Sequence, residues 1–190
     1  ICTSGNALQI VNSLPKQQKI IFAPDKNLGG YINRLTGRNM VLYNGTCEVH
    51  EQLTAEYTLK IKQENKDAIL IAHPECNDVV LKLADYIGST QGMIKFVKQS
   101  KDKKFLVATE SGILYKLQNE NPEKEFLVVT SSESCACNDC RYMKLNTMGK
   151  LLNSLQTETY EIKLDDKTIL EARKPIEKML EISKNLGIIH

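Results

Sequence analysis

Five short runs rich in Ile, Leu, Val and Phe, at residues 19–23, 40–43, 68–73, 105–109 and 126–130, set the tightest limit on how this chain can fold. Almost no polar side chain interrupts them, which is the pattern of strands covered on both faces. Such strands form parallel sheets, and parallel neighbours are joined by crossovers that are usually helical. The sequence between them supplies helical patterns over 52–65, 77–84, 142–155 and 166–184. In the last of these Ile169, Ala172, Ile176, Met179 and Ile182 recur at spacings of three and four, which gives one apolar face. Lys174-Pro175 within it predicts a kink or a break. The expected class is α/β.

Composition narrows the partners. Lys and Arg number 25 against 23 Asp and Glu, a net +2 with the charges interspersed. That balance argues against a nucleic-acid or membrane-surface footprint. Trp is absent and Phe plus Tyr total 11, too few for platforms that stack single-stranded bases. No apolar run approaches the roughly 18–20 residues that cross a bilayer. Six cysteines in 190 residues fall below the density of a disulfide scaffold, so reduced thiols and a cytoplasmic setting are expected.

An internal repeat runs through the chain. Ile1-Cys2-Thr3-Ser4-Gly5 parallels Tyr86-Ile87-Gly88-Ser89-Thr90, each a strand end entering a small polar loop and a helix. The offset of 85 from Ser4 to Ser89 also carries Phe22-Ala23-Pro24-Asp25 onto Val107-Ala108-Thr109-Glu110. The next strand of each copy ends near a cysteine, Cys47 or Cys140, at an offset of 93, so the second copy has the longer loop. The boundary is expected near Glu51. The opening residues read as though a cut falls inside a domain, so a fragment is expected.

Both cysteines precede predicted helices, where backbone N–H groups favour a thiolate. Cys135-Ala136-Cys137-Asn138-Asp139-Cys140 adds further thiols, and its spacings fit metal or cluster ligation, a redox dithiol or inert thiols. Cys47 and His50 with Cys137 and Cys140 would complete a structural zinc site. Cys2 and Cys76 adjoin apolar strands and read as buried thiols. His73-Pro74-Glu75 lies immediately past an apolar strand, where open α/β sheets bind ligands, with Pro74 fixing the backbone between two functional side chains. The alternative is a capping Glu beside an exposed His. Ser4, Ser89-Thr90 and Thr109-Glu110 mark other strand-to-helix junctions, which serve either as anion sites or as helix caps.

Taken together these segments resemble the quinolinate synthase family. The resemblance is carried by Cys-Thr-Ser-Gly-Asn-Ala from Cys2, Phe-Ala-Pro-Asp-Lys-Asn-Leu-Gly from Phe22, Cys-Glu-Val-His from Cys47 and His-Pro-Glu-Cys from His73. Ala-Asp-Tyr-Ile-Gly-Ser-Thr from Ala84, Ala-Thr-Glu-Ser-Gly from Ala108 and Cys140-Arg141-Tyr142-Met143-Lys144-Leu145-Asn146-Thr147 extend it over the whole chain.

The resemblance implies repeated αβα three-layer domains with short parallel sheets, in a pseudo-threefold arrangement in the full-length family. On that plan residues 1–50 are the C-terminal part of the second repeat, 51–140 the third, and 141–190 helices and a strand that complete the fold. It implies condensation of iminosuccinate with dihydroxyacetone phosphate to quinolinate, phosphate and water, with transient contact to the enzyme that supplies iminosuccinate. A [4Fe–4S] cluster would act as Lewis acid, with Cys47 and Cys140 as two ligands and a third cysteine outside this chain. Glu75 and His73 would be catalytic. Ser4, His50, His73, Pro74, Glu75, Ser89 and Thr90 would bind substrate.

Overall fold

The computed structural model describes residues 1–131 and 138–189. Cys135 and Cys137 lie outside the described residues. Two all-parallel sheets organise the chain. The first pairs β1 (Ile21–Phe22) with β2 (Val41–Leu42), and the second has the order β4-β3-β5-β6, from β3 (Ile69–Ala72), β4 (Tyr86–Ile87), β5 (Lys104–Ala108) and β6 (Glu125–Val128). In register, Ile69 to Ala72 face Phe105 to Ala108 along the two central strands.

Strand alternation divides the second core in two. Leu70, Ala72, Leu106 and Ala108 point to one face, where Ile61 of α4 (Ala55–Glu64), Val80 and Leu81 of α5 (Asp78–Leu83) and Leu53 in the stretch before α4 cover them. Ile71, Phe105 and Val107 point to the other, against Met93, Ile94 and Val97 of α6 (Thr90–Gln99) and Ile113 and Leu117 of α7 (Ile113–Glu120). The result is a helix–sheet–helix sandwich. Burying a side chain such as Leu70 or Phe105 completely contributes about 1.5–3 kcal/mol.

The smaller sheet carries its own core, built from Phe22 and Met40 with Ala7 and Val11 of α1 (Ala7–Ser13) and Leu28 and Ile32 of α2 (Lys26–Thr36). Helix α2 lies so close to its strands that a Cβ on Gly29 would stand 2.7 Å from Leu42 and 2.9 Å from Phe22. The helix ends at Gly37, whose φ of +65° gives the left-handed turn that glycine adopts without strain.

Several boundaries differ from expectation. The helical pattern expected over 52–65 begins only at Ala55, as α4, because Thr54 caps that helix by accepting the Tyr57 N–H, and a separate short helix, α3 (Glu48–Glu51), precedes it. The pattern over 142–155 becomes a 3-10 turn at Met143–Leu145 and then α8 (Met148–Thr157), capped by Thr147. Of the kink or break expected at Pro175 there is no break: α9 (Asp166–Asn185) runs through it. Its neighbours are exposed there, so water can satisfy the Glu171 carbonyl that Pro175 leaves without an N–H partner. Among the described residues after Cys140 there are helical elements and no strand, in place of the strand expected there. Among the described residues no helix is long and apolar enough to cross a membrane.

Candidate active site

Parallel strands bring their carboxyl ends to one side, where ligand crevices form in open α/β sheets. The loops leaving β2, β3, β5 and β6 surround a cavity of about 530 Å³ on that side. Its walls include Cys47, His50, His73, Glu75, Thr90, Thr109, Glu110, Lys116, Cys140 and Met143. Eight residues singled out as site candidates in the sequence therefore meet in one place: Cys47, His50, His73, Glu75, Thr90, Thr109, Glu110 and Cys140.

The two histidines are almost fully buried and stacked, with ring centroids 4.8 Å apart and planes inclined by 20°. His50 sits on α3, three residues past Cys47, so one helical turn carries it beside the cysteine. Its Nε2 lies 2.9 Å from Thr109 Oγ1. Its Nδ1 is 3.3 Å from Glu75 Oε2, yet out of line for a hydrogen bond to any group. His73 Nδ1 accepts the Glu75 backbone N–H at 3.3 Å, and its Nε2 lies 3.2 Å from Ser4 Oγ. Asn27, at the start of α2, donates its side-chain amide to the Glu75 carbonyl at 3.1 Å and to Glu51 Oε2 at 2.9 Å, joining the smaller sheet to the larger one.

Charge is sharply partitioned. Burial pushes the His50 pKa down, but Cys47 and Glu75 together outweigh it and raise it to about 9. The Cys47 thiol is lowered in turn, chiefly by its interaction with His50 and against burial. Glu75 is held below the usual carboxylate range by His50, again against burial. Burial first, and then the charge on His50, drive His73 down to about 4. At neutral pH the site thus holds one imidazolium between a carboxylate and an acidified thiol, with a neutral imidazole alongside.

The donor atoms of Cys47, His50 and Glu75 all lie within 4.8 Å of one another, a group that could hold a metal ion. Cys140 lines the same cavity outside that trio. Cys2 is half-buried against the smaller core. Cys76 is fully buried and donates to the Ala108 carbonyl at 3.3 Å. Ser89 caps α6 by accepting the Gly92 N–H at 3.2 Å, and neither Ser89 nor Pro74 is among the residues lining the cavity. Lys116 and Met143 at the cavity, and Asp25, whose carboxylate accepts the Cys47 N–H, are not expected at the site from the sequence. For Asp25 the signal was present, since the repeat aligns it with Glu110.

Residues 1–181 match the sequence profile of a family described as "Quinolinate synthetase A protein". Curated relatives called quinolinate synthase include those of Chloroherpeton thalassium, 48% identical over 185 residues, and Synechocystis, 45% identical over 183. The first alignment covers 97% of this chain and 58% of the relative, the second 96% and 58%. That of Trichodesmium erythraeum is 44% identical over 96% of this chain and 57% of its own length. The chain spans somewhat more than half the length of the curated relatives it matches.

Proposed function

The chain belongs to the quinolinate synthetase A family, and we propose that its protein condenses iminosuccinate with dihydroxyacetone phosphate to quinolinate, phosphate and water. The observation that carries this reading is the meeting of Cys47, which follows β2, and Cys140, which follows β6, in one cavity with His50, His73 and Glu75. Two thiols that face one cavity, one of them acidified, suit an iron–sulfur group. Cys47 and Cys140 would hold a [4Fe–4S] cluster, with a third cysteine from outside these residues. When bound, such a cluster supplies an open iron that polarises a substrate oxygen as a Lewis acid.

The chain's own groups do the rest. His50 brings positive charge to a cavity that must accept substrate carboxylates. Thr90 offers a hydroxyl at its wall. Glu75, kept ionised by His50, takes a proton from substrate carbon and returns it to the departing hydroxyl, which leaves as water. Neutral His73 stands beside it as the second proton-handling group. Reduced thiols at such a site suit the cytoplasm, where contact with the enzyme supplying iminosuccinate would be transient.

The test is quinolinate formation by the full-length protein from the two substrates under anaerobic conditions. The expected result is turnover in the parent and a loss of about 10²-fold or more in Glu75→Gln at unchanged iron and sulfide content. No quinolinate from the cluster-loaded parent would overturn the function, and parent-like turnover in the variant would overturn the role of Glu75.

A further inference from the structure

Asp25 and Glu110 stand 85 positions apart, each just past the carboxyl end of a strand, β1 or β5, and each ahead of the helix that follows. Cys47 and Cys140 follow the neighbouring strands β2 and β6 in the same way. In both repeats the same pair of hydrogen bonds crosses between these loops. Asp25 Oδ2 accepts the Cys47 backbone N–H at 2.7 Å, and Glu110 Oε1 accepts that of Cys140 at 3.4 Å. In the return direction the residue after each carboxylate donates its N–H to the carbonyl two positions before each cysteine. Lys26 bonds Gly45 at 2.9 Å, and Ser111 bonds Asn138 at 3.1 Å. The remaining carboxylate oxygen is tied within its own loop, to the Leu28 N–H at 2.9 Å or the Gly112 N–H at 2.7 Å.

Loop length does not explain this recurrence. Five positions separate Leu42 from Cys47, whereas twelve separate Val128 from Cys140. The crossing bonds persist across that difference and across the exchange of Asp for Glu. Both carboxylates are shielded, Asp25 at 6% exposure and the Glu110 side chain at 15%, so water does not readily replace a lost bond.

We propose that Asp25 and Glu110 are matched positioning residues, each clamping the backbone of one cluster-binding cysteine so that its sulfur is aimed before the cluster arrives. The inference rests on the reading of Cys47 and Cys140 as cluster ligands. A carboxylate accepting a backbone N–H makes a charge-assisted bond, and here that bond fixes the peptide from which the cysteine side chain projects. Outer-shell partners of this kind typically contribute 10–100-fold to metal affinity.

The test uses the full-length, cluster-loaded protein with Asp25→Asn, Asp25→Ala and Glu110→Gln. An amide has one acceptor oxygen where the carboxylate has two, so each amide variant can keep the bond within its own loop while losing the bond to the cysteine. Iron loss to a chelator should accelerate about 10–100-fold. The electron paramagnetic resonance spectrum of the reduced cluster should shift, while the far-UV circular dichroism of the cluster-free amide variants stays that of the parent. If Asp25→Ala does not fold, Asp25→Asn decides. Iron retention and spectra indistinguishable from the parent in both amide variants would overturn the clamp. With no iron in Cys47→Ala and Cys140→Ala, that same result leaves the ligand reading standing; normal iron in the cysteine variants would overturn both.

Discussion

The Nε2 of His73 lies 3.2 Å from the hydroxyl of Ser4, across 69 positions of sequence. Because Nδ1 of the same ring accepts the Glu75 N–H, the ring proton resides on Nε2, and Ser4 is the acceptor that holds the imidazole in place. Ser4→Ala should therefore act through the orientation of His73. Loss of one such bond predicts a fall of about 2–10-fold in kcat/KM of the full-length enzyme, read from quinolinate formation. An unchanged kcat/KM would show that packing alone fixes the ring.

Acid should destabilise the cluster-free protein through His73. Its folded pKa of about 4 lies below the ordinary 6.5, so between those values the unfolded chain binds a proton that the folded chain refuses. Stability from this group is complete above about 6.5 and is lost as pH falls toward 4. Glu75, itself held low by His50, works in the same sense at the acid end. Urea midpoints at pH 7 and pH 5 should drop more in the parent than in His73→Gln. Equal drops would place the acid sensitivity elsewhere.

The thiols should react in a set order. Burial pushes the Cys76 thiol up to about 12, whereas His50 lowers that of Cys47. Since the thiolate is the nucleophile, iodoacetamide at pH 7.5 should label Cys47 of the cluster-free protein well before Cys76. Peptide mapping by mass spectrometry gives the order directly. Comparable labelling of Cys76 would mean that its strand end opens to solvent.

Leu106 is fully buried at the centre of the larger sheet, facing Leu70 across the register and packed among Ala72, Val80 and Val129. Leu106→Ala should cost about 2–5 kcal/mol in an equilibrium unfolding measurement, the range for a large-to-small change in a closed core. A cost under about 1 kcal/mol would mean that the two helical layers collapse onto the gap.

The sequence exposed the strands of the larger sheet well, because β3 and β5 are buried on both faces and cannot tolerate polar interruption. Residues 19–23 and 40–43 overstate β1 and β2, whose two-stranded sheet ends where pairing ends rather than where apolar residues do. Thr54 and Thr147 were readable as caps, yet the apolar periodicity running past them hid the breaks. For the site, strand-end logic located Cys47, His73, Glu75 and Cys140, all of which line the cavity. It could not see that the Ser4 hydroxyl is spent on His73 or that Asp25 reaches the Cys47 peptide. Those contacts depend on how loops from different strands lie against each other, and a backbone N–H has no letter in the sequence.

Asn27 acts as a rivet between the two sheets. Its one amide group holds the carbonyl of Glu75 from the far side of the seam and grips Glu51 as well. Any rocking of the smaller sheet against the larger one is therefore geared directly to the backbone of Glu75, and the alignment of that carboxylate is only as steady as the seam. The precision of the cavity is in this sense a mechanical property of the joint between two sheets, and neither sheet possesses it alone.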